Sequence, residues 1–318
     1  MKVLVTGGAG FIGSNLVRGL LNRYGFEITV IDDLFTGNKD NLKDIFKDIE
    51  FIEASVLDYE LLKKVVQNKD LVFHLAARNI IISSQDPVMD LEVNAKGTLN
   101  VLKACQQSGY LQKIVYASTS SIYGTASCLP INENDQVNFL SFYSVSKFAG
   151  EGYCNVFYEL YGLPVAIIRY SNVYGYHQTP SNPYCGVIGK FIEWALKNEP
   201  LLIHGDGKQT RDFTFVEDAV NATIDTALSA RSTGGIYNIG TGCETTINQL
   251  AQHIIQSSGS TSAIKHIDRR DIDNIRRRVL DIEQLRHDIR YSPNFSLEQG
   301  IELTIAWFKE TMENASLK

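Results

Sequence analysis

Three groups of residues in this chain of 318 are spaced for chemistry. The first is Thr6-Gly7-Gly8-Ala9-Gly10-Phe11-Ile12-Gly13, a G-x-x-G-x-x-G pattern between an apolar run and an amphipathic one. At such a turn the chain swings from strand to helix, lets backbone N–H groups close on a pyrophosphate, and packs the helix tightly on the sheet; a Cβ obstructs each step. The helix N-terminus adds positive partial charge toward the phosphates. The second group is Asp32-Asp33, about twenty residues further on at the end of the next apolar run, where a carboxylate can accept both hydroxyls of a ribose. A carboxylate there also repels the 2′-phosphate of NADP, so these residues favour NAD.

The third group joins Val115-Tyr116-Ala117-Ser118-Thr119-Ser120-Ser121-Ile122-Tyr123-Gly124, a strand ending in hydroxyls, to Tyr143-Ser144-Val145-Ser146-Lys147, the opening of a helix. Tyr143 and Lys147, at i and i+4, share one helix face, so an ammonium can sit near a phenol. A free phenol has a pKa of about 10 and a nearby cation favours phenolate, so the pair is predicted to act as a base nearer neutral pH. The strand-tip hydroxyls fall at the C-terminal edge of the sheet, where an open α/β sheet places its ligand.

These groups need elements to hold them. Short apolar runs at 3–6, 28–31, 51–53, 71–75, 113–117 and 165–169 alternate with helical spacing at 11–22, 59–66, 91–108 and 143–161. The alternation predicts an α/β fold with a doubly wound parallel (Rossmann) sheet. Leu71-Val-Phe-His-Leu75 is a continuous run, as a strand buried on both faces requires. After Tyr170 the texture turns rich in Tyr, Asn, Pro and Gly, which predicts an NAD-binding domain over 1–171 and a smaller α/β substrate lobe, mainly 172–318. Segments 213–216 and 236–239 read as strands that return to the sheet, making the second lobe discontinuous in sequence.

Composition bounds the function. With 44% hydrophobic and 21% charged residues the chain is an ordinary globular protein, which excludes disordered and collagen-like classes. A net charge of −6 argues against a nucleic-acid partner. Five scattered cysteines without C-x-x-C, and histidines without ligand spacing, predict neither a disulfide framework nor a metal site. The opening apolar run is cut by Gly7, Gly8, Gly10 and Gly13, so no signal peptide or membrane span is expected and a cytoplasmic location is the default. One anomaly remains: seven of the thirteen arginines lie between Arg269 and Arg290.

Taken in order along the chain, these motifs resemble the extended short-chain dehydrogenase/reductase family, in its nucleotide-sugar epimerase/dehydratase branch. The resemblance runs through Thr6–Gly13, Asp32-Asp33-Leu34 with Gly37-Asn38, His74-Leu75-Ala76-Ala77, Asn94 with Gly97-Thr98, Ser118–Gly124, Tyr143-x-x-x-Lys147, Arg169-Tyr-Ser-Asn172-Val-Tyr-Gly175, and Gly205-Asp-Gly-Lys-Gln-Thr-Arg211-Asp-Phe. It implies that Tyr143 is the acid/base, that Lys147 orients the nicotinamide ribose and lowers the Tyr143 pKa, and that Thr119 hydrogen-bonds the reacting sugar hydroxyl. It implies NAD contacts from Gly7, Gly10, Phe11, Ile12, Gly13, Asp32, Asp33, Asn38, Val56, Ala76, Ala77 and Asn94, as well as from Tyr143 and Lys147.

Enzymes of this kind share a first step, removal of a sugar hydroxyl proton by the tyrosine as hydride passes to NAD+, leaving a ketone. Dehydratases of the family place Asp and Glu at the positions of Ser120 and Ser121, and decarboxylases place Glu at the second; serine cannot supply that acid/base pair. The resemblance therefore implies epimerisation, most often at C4, of a UDP-hexose or UDP-hexuronate. Dehydratase, decarboxylase and ketosugar reductase are the alternatives within the family. A non-catalytic NAD-binding regulator is the alternative outside it, one expected to have lost Tyr143 or Lys147 first.

A sugar diphosphate calls for permanently charged, bidentate donors. By resemblance Arg211 and Arg276 match the family's diphosphate arginines, with Arg277 the alternative by one register step. Asn172 matches the phosphate-side amide, Ser120 and Ser121 face the sugar, and 182–188, containing Val187, resembles the segment along the nucleobase. The other arginines of the cluster interleave with Asp268, Asp271, Asp273, Asp281, Glu283 and Asp288 and read as solvated charge. The chain departs from the family pattern at 78–84, a sugar-facing loop one residue short and unusually apolar, at Ala54-Ser55, which lacks the adenine-contacting Asp, at Phe142 and at His177. His74 reads as a hydrogen-bonded structural residue. The helices at 91–108 and 143–161 resemble a pair that forms a four-helix bundle across a twofold axis, so a homodimer is expected.

Overall fold

Lys2–Thr6 (β1), Glu27–Asp32 (β2), Ile49–Glu53 (β3), Leu71–His74 (β4), Lys113–Thr119 (β5) and Val165–Tyr170 (β6) form the strands that the apolar runs predict. The computed structural model describes residues 1–178, 186–269 and 275–316, with the side chains of 314–316 left aside. Its later strands are Asn172–Tyr174 (β7), Leu201–His204 (β8), Thr210–Arg211 (β9), Phe213–Phe215 (β10), Ile236–Ile239 (β11), Thr245–Thr246 (β12) and Ile264–Ile267 (β13). The large sheet is all parallel and seven-stranded, in the order β11-β6-β5-β4-β1-β2-β3. Strand β11 thus returns to the sheet as read from the sequence. Segment 213–216 does not: β10 pairs with β7 in a sheet of its own, because Asn172–Tyr174 leaves the large sheet immediately after β6 and gives Phe213–Phe215 a nearer partner.

Helices Phe11–Tyr24 (α1), Tyr59–Val65 (α2), Ile80–Gln85 (α3), Pro87–Asp90 (α4), Gly97–Gln107 (α5) and Phe142–Tyr161 (α6) cross between the strands. The helix expected over 91–108 begins as a π-helical turn, Leu91–Lys96, before settling into α5. The 78–84 loop is largely helical: Asn79 caps α3 by accepting from the N–H groups of Ile81 and Ile82. Val187–Leu196 (α7), Val216–Leu228 (α8), Ile247–Ser258 (α9), Glu283–Ile289 (α10) and Leu297–Ser316 (α11) complete the second half.

Alternate residues of the strands feed opposite sides of the sheet, as period-two geometry requires. Val3, Val5, Leu71, Phe73 and Val115 enter one apolar cluster, which also takes in α1, α8 and the buried faces of α9 and α11. Leu4, Val72, Ile114 and Tyr116 enter the other, with α2, α5 and α6. Both faces are therefore dry, and the C-terminal strand tips are the open edge left to hold a ligand.

Candidate functional site

A cleft of about 300 Å³ opens along those tips, walled by the β1–α1 turn, the ends of β2 and β4, and the start of α6. Gly7 adopts φ +73°, and a Cβ on it would stand 2.7 Å from the backbone N of Ala76; one on Gly13 would stand 2.1 Å from the Gly7 carbonyl oxygen. The turn can close only without side chains there. Gly10 caps α1 without a side-chain hydrogen bond, and the first turn of α1 carries no acidic residue, so the N–H groups of Phe11, Ile12 and Gly13 face the cleft as anion donors. This cradle, which a single Cβ would fill, fits the pyrophosphate of a dinucleotide.

Asp32 is buried at the cleft, its carboxylate accepting from the N–H groups of Ala9 at 2.9 Å and Leu34 at 2.8 Å. Burial raises its pKa above the ordinary carboxylate value, against those two hydrogen bonds. Asp33, Val56, Ala76 and Ala77 line the same cleft. Two other residues expected at the cofactor are engaged elsewhere. Asn38 caps a short 3-10 turn through its side-chain oxygen and Asp40 N–H, and buried Asn94 spends its carboxamide on Asp90, Ser146 and both backbone groups of Arg78. Ser55 accepts from Leu57 N–H, so its hydroxyl serves a turn.

Tyr143 and Lys147 stand on α6 where a Ser141–Ser144 capping box fixes the helix start. Both line the cleft, beside Ala117, Ser118 and Tyr170. The expected lowering of the tyrosine pKa is absent. Burial pushes the Tyr143 phenol up to about 12, opposed by a hydrogen bond with the Thr119 side chain and aided by the charge of Asp90. Burial pushes the Lys147 ammonium down to about 8, while Cys154, Glu151 and Asp90 oppose the shift. Lys147 Nζ sits 4.3 Å over the ring of Tyr116, a cation–π contact. Tyr116 itself donates to the Lys147 carbonyl at 3.1 Å, and a Cβ on Gly150 would strike it.

Behind this pair lies a network the sequence reading missed. Arg169 grips Glu151 with both arms of its fork, Nε–Oε1 3.0 Å and Nη2–Oε2 2.7 Å, both side chains 3% exposed. Ser118 donates to the same carboxylate, and Tyr123 joins Arg169 to Asn238. Glu151 follows Lys147 by one helical turn, a spacing that could have flagged it. His74 bridges the hydroxyls of Thr6 and Thr98, and burial drives it down to about 3, so it is a neutral structural residue as expected.

Of the residues expected at the sugar, Ser120 is buried and Ser121 half-buried at the β5 tip, where Ser121 N–H donates to Thr119 Oγ1. Asn172 N–H donates to the Asp212 carbonyl at the head of β7. Buried Arg211 donates to the carbonyls of Thr210 and Ile275, and Thr210 N–H donates to the Arg276 carbonyl, so the two expected arginines come from adjoining segments. Exposed Arg276 holds Asp206 at 2.7 Å, and Arg277 pairs with Glu244. Val187 starts α7, half-buried against the larger cluster; residues 182–185 of its segment, and Asp271 and Asp273, lie outside the described residues. His177 packs edge-on to Trp307 at 5.3 Å. No helix among the described residues is long and apolar enough to cross a membrane, and no cluster of three potential metal ligands occurs among them.

Residues 3–240 match the model of the NAD dependent epimerase/dehydratase family. The chain is 38% identical over 97% of its length to the UDP-N-acetyl-alpha-D-glucosaminuronate decarboxylase of Bacillus cytotoxicus, covering 98% of that protein. Among solved structures it resembles the UDP-glucose 4-epimerase of Thermotoga maritima with UDP-glucose, at TM-score 0.93 and 33% identity over 98% of this chain and 100% of that one. It also resembles the UDP-glucuronic acid 4-epimerase of Bacillus cereus in complex with UDP-glucuronic acid and NAD, at TM-score 0.90 and 31% identity with the same coverages.

Proposed function

Because the chain belongs to the NAD dependent epimerase/dehydratase family, and so modifies a nucleotide sugar with NAD, we propose that it is a C4 epimerase of a UDP-hexose or UDP-hexuronate. The observation that carries the reading is the β5 tip. Thr119 faces Tyr143 with a hydroxyl, and Ser120 and Ser121 follow where elimination or decarboxylation calls on carboxylates. Bound NAD supplies reversible hydride acceptance at the reacting sugar carbon. Tyr143 acts as the phenolate, the form that the positive charge of bound NAD+ would favour against burial; it takes the proton of the 4-hydroxyl on oxidation and returns it to the 4-oxygen on reduction, so proton balance closes within one residue. Thr119 orients that hydroxyl, and the Lys147 ammonium orients the nicotinamide ribose. Neither serine can hold the acidic proton that loss of water requires, so the ketone turns in the site and is reduced on its other face. Arg211, Arg276 and Asn172 take the diphosphate, and Val187 lies along the uracil. The similarity to the Bacillus cytotoxicus enzyme favours decarboxylation of a UDP-uronate as the second reading.

Purified protein saturated with NAD, incubated with UDP-glucose, UDP-N-acetylglucosamine, UDP-glucuronate and UDP-N-acetylglucosaminuronate, separates the two. The expected result is a product of unchanged mass with inverted C4. A product lighter by carbon dioxide or by water would overturn the epimerase.

A further inference from the structure

Arg78 follows the Ala76-Ala77 turn, lines the dinucleotide cleft and is only 8% exposed. Its guanidinium meets Asp33 at Nη2–Oδ2 2.6 Å and Nη1–Oδ1 3.4 Å, and its Cζ stands 4.0 Å over the ring of Phe35. Asn94 accepts from its backbone N–H at 2.7 Å and donates to its carbonyl at 3.0 Å, so the residue is fixed at both ends. Among the described residues lining the cleft the cations are Arg78 and Lys147, and Lys147 belongs to α6, across β1 and β4 from Asp33. Asp32 feels Asp33 and Arg78 in opposite senses.

In dinucleotide folds, NAD sites carry a carboxylate at the adenosine ribose and NADP sites an arginine nearby. This cleft carries both. We propose that Asp33 sets the cofactor preference by occupying Arg78, and that Arg78 released from Asp33 receives a 2′-phosphate. While paired, the two carboxylates of Asp32 and Asp33 outweigh one guanidinium and leave one net negative charge at the ribose, which rejects NADP. The pair is well shielded, with side-chain exposures of 9% and 26%, so solvent screens it less than a surface ion pair. The first residue of the 78–84 segment then serves the cofactor rather than the sugar.

The proposal rests on the adenosine ribose lying at Asp32, which Asp32→Asn tests separately: unchanged NAD retention in that variant would remove the premise. Protein saturated with NAD is equilibrated against graded NADP, and the nucleotides retained after desalting are counted by chromatography; no turnover is involved. Asp33→Asn should shift the NADP/NAD retention ratio by about tenfold or more toward NADP, the scale of one uncompensated charge at a partly dry site. Asp33→Asn combined with Arg78→Ala should lose that gain, and Arg78→Ala alone should shift the ratio the other way. An equal gain in the double variant would make Asp33 alone the determinant and overturn the role of Arg78. An unchanged ratio in Asp33→Asn, with folding shown by circular dichroism, would overturn it as well.

Discussion

Tyr143 and Lys147 share a helix face, yet the ammonium rests on the Tyr116 ring, and the two groups titrate in opposite directions under the same cause, burial. Tyr143→Phe keeps the ring and removes the proton carrier. It should lower kcat by about 10²- to 10⁴-fold while leaving thermal stability and NAD retention near wild type; near-normal turnover would remove Tyr143 as the acid/base. Lys147 is charged below about 8 and neutral above it, so kcat/KM should fall as pH rises through about 8. Its contribution to stability runs the other way. Between about 8 and its ordinary value of 10.5 the unfolded chain holds a proton that the folded one has shed, so stability gains with rising pH across that window. Denaturant titrations of wild type and Lys147→Met at pH 7.5 and 9.5 check the sign, and a wild-type slope equal to that of the variant would refute it. The residues proposed to do chemistry were legible in sequence as a pattern because they sit at fixed offsets from a turn or along a helix. Arg78 was not, because what brings it to Asp33 is the packing of two strand ends forty-five residues apart.

At the scale of elements, α6 is the platform: Tyr143, Lys147 and Glu151 follow one another by single turns, and the Arg169–Glu151 fork fastens that face to β6. Both partners are almost wholly buried, so removing one leaves the other charged in a dry place. Glu151→Gln should therefore cost about 3–5 kcal/mol in chemical denaturation, and a loss below about 1 kcal/mol would mean that water reaches Arg169. The large strands were readable because a strand dry on both faces must be apolar without interruption. β7, β9 and β12 were not, since two or three residues carry no period. That is also why Phe213–Phe215 was assigned to the wrong sheet: its apolar character is the same beside β7 as it would be beside β6.

For the whole molecule, the outer face of α6 and the start of its neighbour leave Val145, Val156, Leu160, Tyr161 and Leu91 between 46% and 70% exposed. We infer that a second copy covers them, as the resemblance implies, making the protein a homodimer. Light scattering should give twice the 35.5 kDa chain mass, and Val156→Glu with Leu160→Glu should give the single mass with NAD retained. A monomeric wild type would refute the inference. We also infer that 1–171 holds the cofactor and that 172–318 mainly holds the sugar. The return of Ile236–Ile239 to pair with β6 has a practical result for anyone recombining this enzyme with its relatives. A chimera spliced once near 171 would inherit its outermost sheet strand from the other parent, so the sugar specificity and the margin of the nucleotide sheet would be exchanged together. A graft meant to change substrate alone needs two junctions, with the 236–239 strand kept from the host.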